Sequence, residues 1–403
     1  MKQHLFSNRD LRILLIPVVI EQILNALMGT VDTMMVSNVS SSAISAVSLV
    51  DSINVLVIQV FSALAAGGTI ICSQYMGQKD TQNATEAAKQ LVFIIGVISV
   101  VLTVICVVFQ IPILRLVFGQ VEDSVMRDSE TYFLYTALSF PYMGVAGAAI
   151  STLVSRIFCA VVVMWYLRKP KQEIVVRDYL KIRPHFGRIK MVLAVGIPTG
   201  IENGMFQFGK LAIQSTVSTL GTAAIAAQAM TNILENMNGI AAIGIGIGLM
   251  TIVGQCIGAG RKDEAIYYTK KLSWIAEIVV VISCALVYVL AEGITQIGGM
   301  EPESAKMCLF MMGWITVVKP IVWVLAFIPG YGMRAAGDVK FSMILSCISM
   351  WIFRVSLCVF LCRVMGFGPI AVWIGMFTDW TVRAIVYMFR FHSRKWLEHQ
   401  VIH

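Results

Sequence analysis

The sequence repeats itself at an offset of 181 residues, and both copies lie in long apolar runs. Ile16-Pro17 returns as Ile197-Pro198, and Glu21 returns as Glu202. Ala43, Ile44 and Ala46 return as Ala224, Ile225 and Ala227. Gly67, Gln74 and Gly77 return as Gly248, Gln255 and Gly258. The register holds without a gap for about sixty residues. Two related helical halves in one membrane chain are the pattern of a transporter that moves one half against the other.

The membrane assignment follows from composition. The chain is 58% hydrophobic and only 13% charged, against ~25% charge in soluble domains. Ten apolar stretches are each long enough to cross ~30 Å of hydrocarbon as a helix. They cover 12–37, 44–73, 90–117, 131–167, 191–219, 224–257, 272–297, 306–330, 341–364 and 369–391. The expected fold class is therefore an all-α polytopic membrane protein, a two-lobed bundle with four spans in the first lobe and six in the second. The net charge of +8 does not point to nucleic acid, because the basic residues sit in short loops between apolar runs. The nine cysteines lie mostly inside those runs without zinc-like spacing, so they read as buried free thiols. The run from Ile13 carries Glu21 and Asp32 and lacks a small-residue cleavage site, so it reads as a first span, not a signal peptide.

Loop charges set the direction. Lys2, Arg9 and Arg12 precede the first span, and the stretch 168–190 carries eight basic residues. Arg261, Lys262, Lys270, Lys271, Arg334, Lys340, Arg390, Arg394 and Lys395 fall on the same side. The alternate loops are neutral or acidic, with Glu122, Asp123, Asp128 and Glu130 together. The positive-inside rule then places both termini in the cytoplasm of a cell-membrane protein. The expected organisation is a lobe at 1–167, a basic linker at 168–190 and a second lobe at 191–403, related as parallel repeats.

Charged and polar residues inside a bilayer are costly and need a reason. Glu21, Asn25 and Asp32 share one face of the first span, by steps of four and seven. Glu21 and Asp32 stand ~16 Å apart along it. A carboxylate facing a wet cavity binds and releases a proton, a sodium ion or a cationic substrate. The bland alternative is an interhelical hydrogen bond. In the second half, Glu202, Gln207, Lys210 and Gln214 cluster on one span, and Gln228, Asn232 and Glu235 on the next. An intramembrane lysine needs a partner, so a Lys210–Glu235 or Lys210–Glu202 pair is expected; it gates, binds or merely neutralises itself. Lys319, Arg354, Asp379 and Arg383 read as structural or interfacial, and Asp51 and Glu277 as solvated near span ends. The run Gly244-x-Gly246-x-Gly248 follows no strand, so it reads as a helix-packing face, not a phosphate loop.

The histidines at 4, 185, 392, 399 and 403 all lie outside the spans. Zinc-hydrolase, serine-hydrolase and nucleotide-binding motifs are lacking. The reading is therefore a protein that is not an enzyme and has no cofactor, drawing on a gradient of H+ or Na+ if it works uphill. Its expected partners are small molecules and lipid, and its expected state is a monomer.

Ile16-Pro17 through Val31-Asp32-Thr33 resembles the first helix of multidrug and toxic compound extrusion (MATE) transporters. Gln74-Tyr75-Met76-Gly77-Gln78-Lys79-Asp80 resembles the family's turn after its second helix, and 255–263 is its counterpart. Gly147-Ala148-Ala149 resembles the start of the sixth helix, and Gly332-Met333-Arg334-Ala335-Ala336-Gly337-Asp338 the loop after the tenth. The likeness covers nearly the whole chain and is greatest to the DinF-like branch. It implies cation-coupled export through a cavity between lobes, with Asp32 at the family's first-helix acid. The family's second-lobe acid has no clear match; Glu202 and Glu235 are candidates by position only.

The family has twelve helices. Offsets of 179 before and about 222 after residue 141 imply that about 43 residues, including the fifth helix, are missing from the first lobe. Tyr132, Tyr135, Ser139 and Tyr142 are the polar groups left nearby, and Tyr135 is kept as a cavity candidate. Three readings result. One is an exporter of amphipathic, often cationic, compounds. Another is a flippase for lipid-linked saccharides, disfavoured because only Lys210, Lys319 and Arg354 are available to hold a pyrophosphate. The last is a truncated remnant that does not transport.

Overall fold

A computed structural model describes residues 4–37, 41–109, 183–297, 299–399 and 401–402, with seven further positions at 111, 112, 114, 115, 165, 168 and 174. Its described residues are helical and turn, in one bundle. The first half contributes α1 (Asn8–Ser37), α2 (Ser41–Gly77) and α3 (Thr81–Val108). The second contributes α4 (Phe186–Val217), α5 (Thr222–Gly258), α6 (Lys262–Ile297) and α7 (Pro302–Ala335). It ends with α8 (Val339–Ile348), a π-helical stretch Ser349–Ser356, α9 (Leu357–Arg363) and α10 (Ile370–His392). Among the described residues, six stretches are long and apolar enough to cross a membrane: Val57–Gly77, Thr81–Val108, Ala223–Gly258, Lys262–Gln296, Pro302–Ala335 and Val339–Arg363. The expected span at 131–167 lies outside the described residues, apart from Trp165.

Several helices start earlier than hydropathy suggests. α3 begins at Thr81 rather than 90 because Asp80 caps it, accepting the Asn83 N–H at 2.9 Å. The same Asn83 bonds hold the Asp80 carboxyl below the usual carboxylate range. α6 begins at Lys262 with Asp263 and Glu264 in its first turn, where carboxylates favour the helix dipole. Hydropathy marks the lipid-buried length; caps carry the helix further into the interface. α4 likewise begins at Phe186, inside the stretch expected as linker.

The internal repeat survives in the fold. Lys79 and Gly260, equivalent at the 181 offset, both take left-handed φ, 61° and 71°. The following N–H reaches back identically: Asp80 to Tyr75 at 3.0 Å, Arg261 to Cys256 at 2.8 Å. These are helix C-terminal turns that satisfy otherwise orphaned carbonyls. α1 packs on α5 where a Cβ at Gly244 would stand 2.8 Å from the Val19 Cα, and α4 packs on α2 in the equivalent register, Gly200 against Ala63. A Cβ at Gly77 would strike the Gln255 carbonyl, and one at Gly258 would strike that of Gln74. The two halves therefore meet backbone to backbone, reciprocally, at the ends of α2 and α5.

The outer face is apolar. Trp274, Ile278, Ile282, Leu286 and Val289 form an exposed stripe along α6, and Val97, Val100, Val101, Val104 and Val108 along α3. Stripes of this length are a surface for lipid chains. Both ends of the chain come to one end of the bundle. The Leu5 N–H donates to Glu264 at 2.8 Å, and Arg394 lies 4.0 Å from Asp263.

Candidate functional site

Two adjoining, half-open cavities of about 320 and 360 Å³ lie in the second half. They share Gln207 and Lys210 from α4, Glu235 and Asn236 from α5, Arg354 from the π-helical stretch and Met376 from α10. From the first half, Val55 of α2 borders one and Gln59 the other. The walls run along α4 from Gln214 to Glu202, a length of ~18 Å at helical rise. Gln228 and Asn232 line the end near the α4–α5 turn, while Glu202 and Arg334 line the other. The Gln228 amide oxygen accepts from the Trp373 indole at 3.1 Å, and its NH2 group donates to Asn232 at 3.3 Å. These bonds hold both amides against α10.

The ion pairs differ from those expected. Lys210 joins neither Glu235 nor Glu202. Glu235 instead binds Lys319, which comes from α7 fully buried, Nζ to Oε1 at 2.6 Å. Glu202 accepts from the Ser346 hydroxyl at 2.7 Å and faces Arg334 at 3.5 Å. The reason is one of facing registers. α5 and α7 pack closely along their length, which brings Lys319 onto Glu235, whereas Lys210 points past both carboxylates over the Phe206 ring, 4.9 Å away. Arg334, counted in sequence as a loop charge, belongs to the last turn of α7 and folds back over Tyr331 toward Glu202.

A chain of polar contacts crosses the half. Ser346 donates to Glu202 and accepts from Arg383 at 3.0 Å; Arg383 donates to Asp379 at 2.7 Å; Asp379 lies 3.8 Å from Arg354. It joins α4, α8, α10 and the π-helical stretch. Asp379 and Arg383 are buried and tie the bundle together. Arg354, expected to be structural or interfacial, lines both cavities. Glu277, expected near a span end, stands half-buried well inside α6. Gly246 of the glycine run meets Tyr331 of α7, and Gly244 meets α1, so that run is a packing face.

On α1, Glu21 is exposed. The side chains of Asn25 and Asp32, and all of Tyr135, lie outside the described residues, as does the side chain of Asp51. Sequence reasoning missed the aromatic wall of Phe206, Trp323, Phe327 and Trp380. The signal was present in the i, i+4 spacing of Trp323 and Phe327, but such spacing equally marks core or lipid contact.

The MatE family model matches residues 17–164 and 198–360, both halves of the repeat. The chain belongs to the MatE family. The uncharacterized transporter YisQ of Bacillus subtilis is 23% identical over 433 aligned positions, covering 95% of this chain and 93% of YisQ. The probable multidrug resistance protein NorM of Thermotoga maritima is 24% identical over 441 positions, covering 98% and 94%. Among solved structures, a multidrug resistance MATE family transporter in an outward-facing conformation superposes with TM-score 0.83 at 16% identity, covering 96% and 95%. A MATE in a straight conformation gives TM-score 0.81 at 17% identity, covering 95% of each chain. At these identities the structures speak for the fold, and the fold is the same MATE-like helical bundle.

Proposed function

We propose that this MatE protein is a cation-coupled exporter of amphipathic small molecules that works by alternating access. The observation carrying the reading is the reciprocal contact of Gly77 with Gln255 and Gly258 with Gln74. A repeat-symmetric, backbone-tight contact seals one end of the bundle, while the cavity lies further along α4 and α5. Rocking two related halves about such a contact exposes a central site to one side at a time. The multidrug resistance names of several relatives support a drug-like substrate. Asp32, with Asn25 and Glu21 on the same face of α1, is the proposed coupling site for H+ or Na+. Glu202, Gln207, Lys210, Gln214, Gln228, Asn232 and Glu235 are the proposed cavity wall, with Tyr135 from the first half. The protein is placed in the cell membrane as a monomer, with both termini cytoplasmic; the meeting of both chain ends at one end of the bundle supports a shared side.

Proteoliposomes test this. An imposed proton or sodium gradient is expected to drive an amphipathic dye, rhodamine 6G or 5-carboxyfluorescein, across the membrane, and Asp32→Asn is expected to abolish the coupling. Gradient-driven movement unchanged in Asp32→Asn would remove Asp32 from the mechanism.

Two observations bear on the alternatives. Alignments of 433 and 441 positions exceed the 403 residues of this chain, so these relatives carry residues it lacks. That supports a chain shortened relative to these relatives, and with it the remnant reading. If dye movement is absent and a two-helix insert at Met143 restores it, the remnant reading holds. The second half also lines its cavity with Arg334 and Arg383 beyond the three cations first counted, which weakens the ground for setting the flippase aside.

A further inference from the structure

Two cations in the cavity of the second half, Lys210 and Arg354, make no hydrogen bond to a carboxylate among the described residues; Arg354 has only a long ion pair, 3.8 Å, with Asp379. Glu235 is held by Lys319, Glu202 by Ser346 and Arg334, and one oxygen of Asp379 by Arg383, while its other oxygen makes no hydrogen bond and faces Arg354. Lys210, exposed at the cavity wall, makes no ion pair within 4 Å among the described residues and lies over the Phe206 ring. Arg354 is 5% exposed, makes no hydrogen bond, and leaves its Nε without a partner. Its nearest carboxylate oxygen, on Asp379, is 3.8 Å away, beyond hydrogen-bond reach. Its guanidinium lies 5.2 Å from the same Phe206 ring that Lys210 covers. A buried charge without a hydrogen-bond partner is costly. Two of one sign over one ring add repulsion. π-Helical turns such as the one that carries Arg354 occur often at functional sites. From this turn Arg354 lines both cavities.

We propose that Lys210 and Arg354 bind the anionic group, a carboxylate or a phosphate, of the transported molecule. Phe206, Trp323 and Phe327 take its apolar part. The inference rests on the exporter reading and names its substrate class: amphipathic organic anions, where composition and resemblance suggested cations. A carboxylate or phosphate between the two residues satisfies the open Nε and cancels the repulsion. Charge-assisted bonds of this kind are the strong ones.

The test is binding, which is separable from transport. Full-length protein in phosphatidylcholine nanodiscs is titrated with 5-carboxyfluorescein and, separately, with rhodamine 6G, following anisotropy. Lys210→Met is expected to weaken carboxyfluorescein by about tenfold, and Lys210→Arg to stay within about threefold. Lys210→Met should tighten rhodamine 6G, because a repelling charge is gone. Arg354→Gln should weaken carboxyfluorescein likewise; Lys210, at the cavity wall, carries the test alone if that variant does not fold. If nanodiscs enriched in phosphatidylglycerol compete with the dye, the natural anion is a lipid phosphate; if not, it is a free organic anion. Equal weakening of both dyes would show that Lys210 only shapes the cavity and would overturn the proposal. Rhodamine binding without carboxyfluorescein binding also overturns it, while leaving the exporter reading in place.

Discussion

Lys319 on α7 and Glu235 on α5 form an ion pair of 2.6 Å in which the lysine has no exposed surface. The ammonium also reaches the Glu235 backbone oxygen at 2.8 Å and lies 5.1 Å from the Trp323 ring centre. Gly239, one turn along α5, leaves the room: a Cβ there would stand 3.2 Å from the lysine Nζ. Three acceptors of one sort or another thus surround a charge that would otherwise be prohibitive in a bilayer. The pair holds two cavity-lining helices, α5 and α7, to one another, and it withdraws Glu235 from any bond with Lys210.

Removing one partner is therefore expected to cost more than removing both. Glu235→Gln leaves a buried ammonium, which costs about 3–5 kcal/mol. Lys319→Met combined with Glu235→Gln should recover most of that loss. Thermal unfolding in detergent of the two single variants and the double variant measures it. A double variant as unstable as the sum of the singles would mean that the two residues are not coupled.

The helix faces were legible in sequence, but the partners across them were not. Steps of three and four put Glu202 and Lys210 on related turns of α4, and that spacing is a property of one helix. Which carboxylate meets which cation depends on the relative rotation and height of α5 and α7, and nothing local to Lys210 or Lys319 records it. Arg334 was misplaced for a similar reason: a charge after Pro329 and Gly332 looks like the start of a loop, yet α7 continues through it to Ala335. The repeat marked Gly77 and Gly258 as equivalent but not that they meet the opposite half; that contact appears only in the fold, where a two-fold relation brings equivalent residues to the same place.

A second prediction concerns the tail. Arg390 binds Asp338 at 2.7 Å, beside the turn between α7 and α8, and His399 approaches the other oxygen of Asp338 at 3.3 Å. Trp396 stacks on Phe391 and is fully buried. Beyond it, Ile402 packs with Ile71 and Tyr75 of α2, Ala84 and Ala87 of α3, and Val192 of α4. The tail thus spans from the second half onto helices of the first. Ile402→Ala is expected to cost about 2–5 kcal/mol, as for other buried isoleucines, and to lower Tm in detergent by several degrees. A Tm equal to that of the unmodified chain would mean the tail does not bridge the halves in solution.

The glycine seal makes the last prediction. At Gly77 even a methyl group has nowhere to go, because the atom it meets is the Gln255 backbone carbonyl, not the end of a mobile side chain. Overpacking of this kind typically costs about 1–3 kcal/mol, and here the halves can relieve it by separating at that end. Cys256 adjoins Gln255, is fully buried and is a free thiol. In Gly77→Val or Gly258→Val, N-ethylmaleimide should therefore modify Cys256 at least about tenfold faster than in the unmodified chain, a shift of roughly 1.4 kcal/mol toward the open state. Site-resolved mass spectrometry reads this directly. Because the contact is reciprocal, both substitutions should act alike, and the pair together should add little once the end is open. Unchanged labelling in both variants would mean that the strain is absorbed within α2 or α5, and that this contact is not the seal about which the halves move.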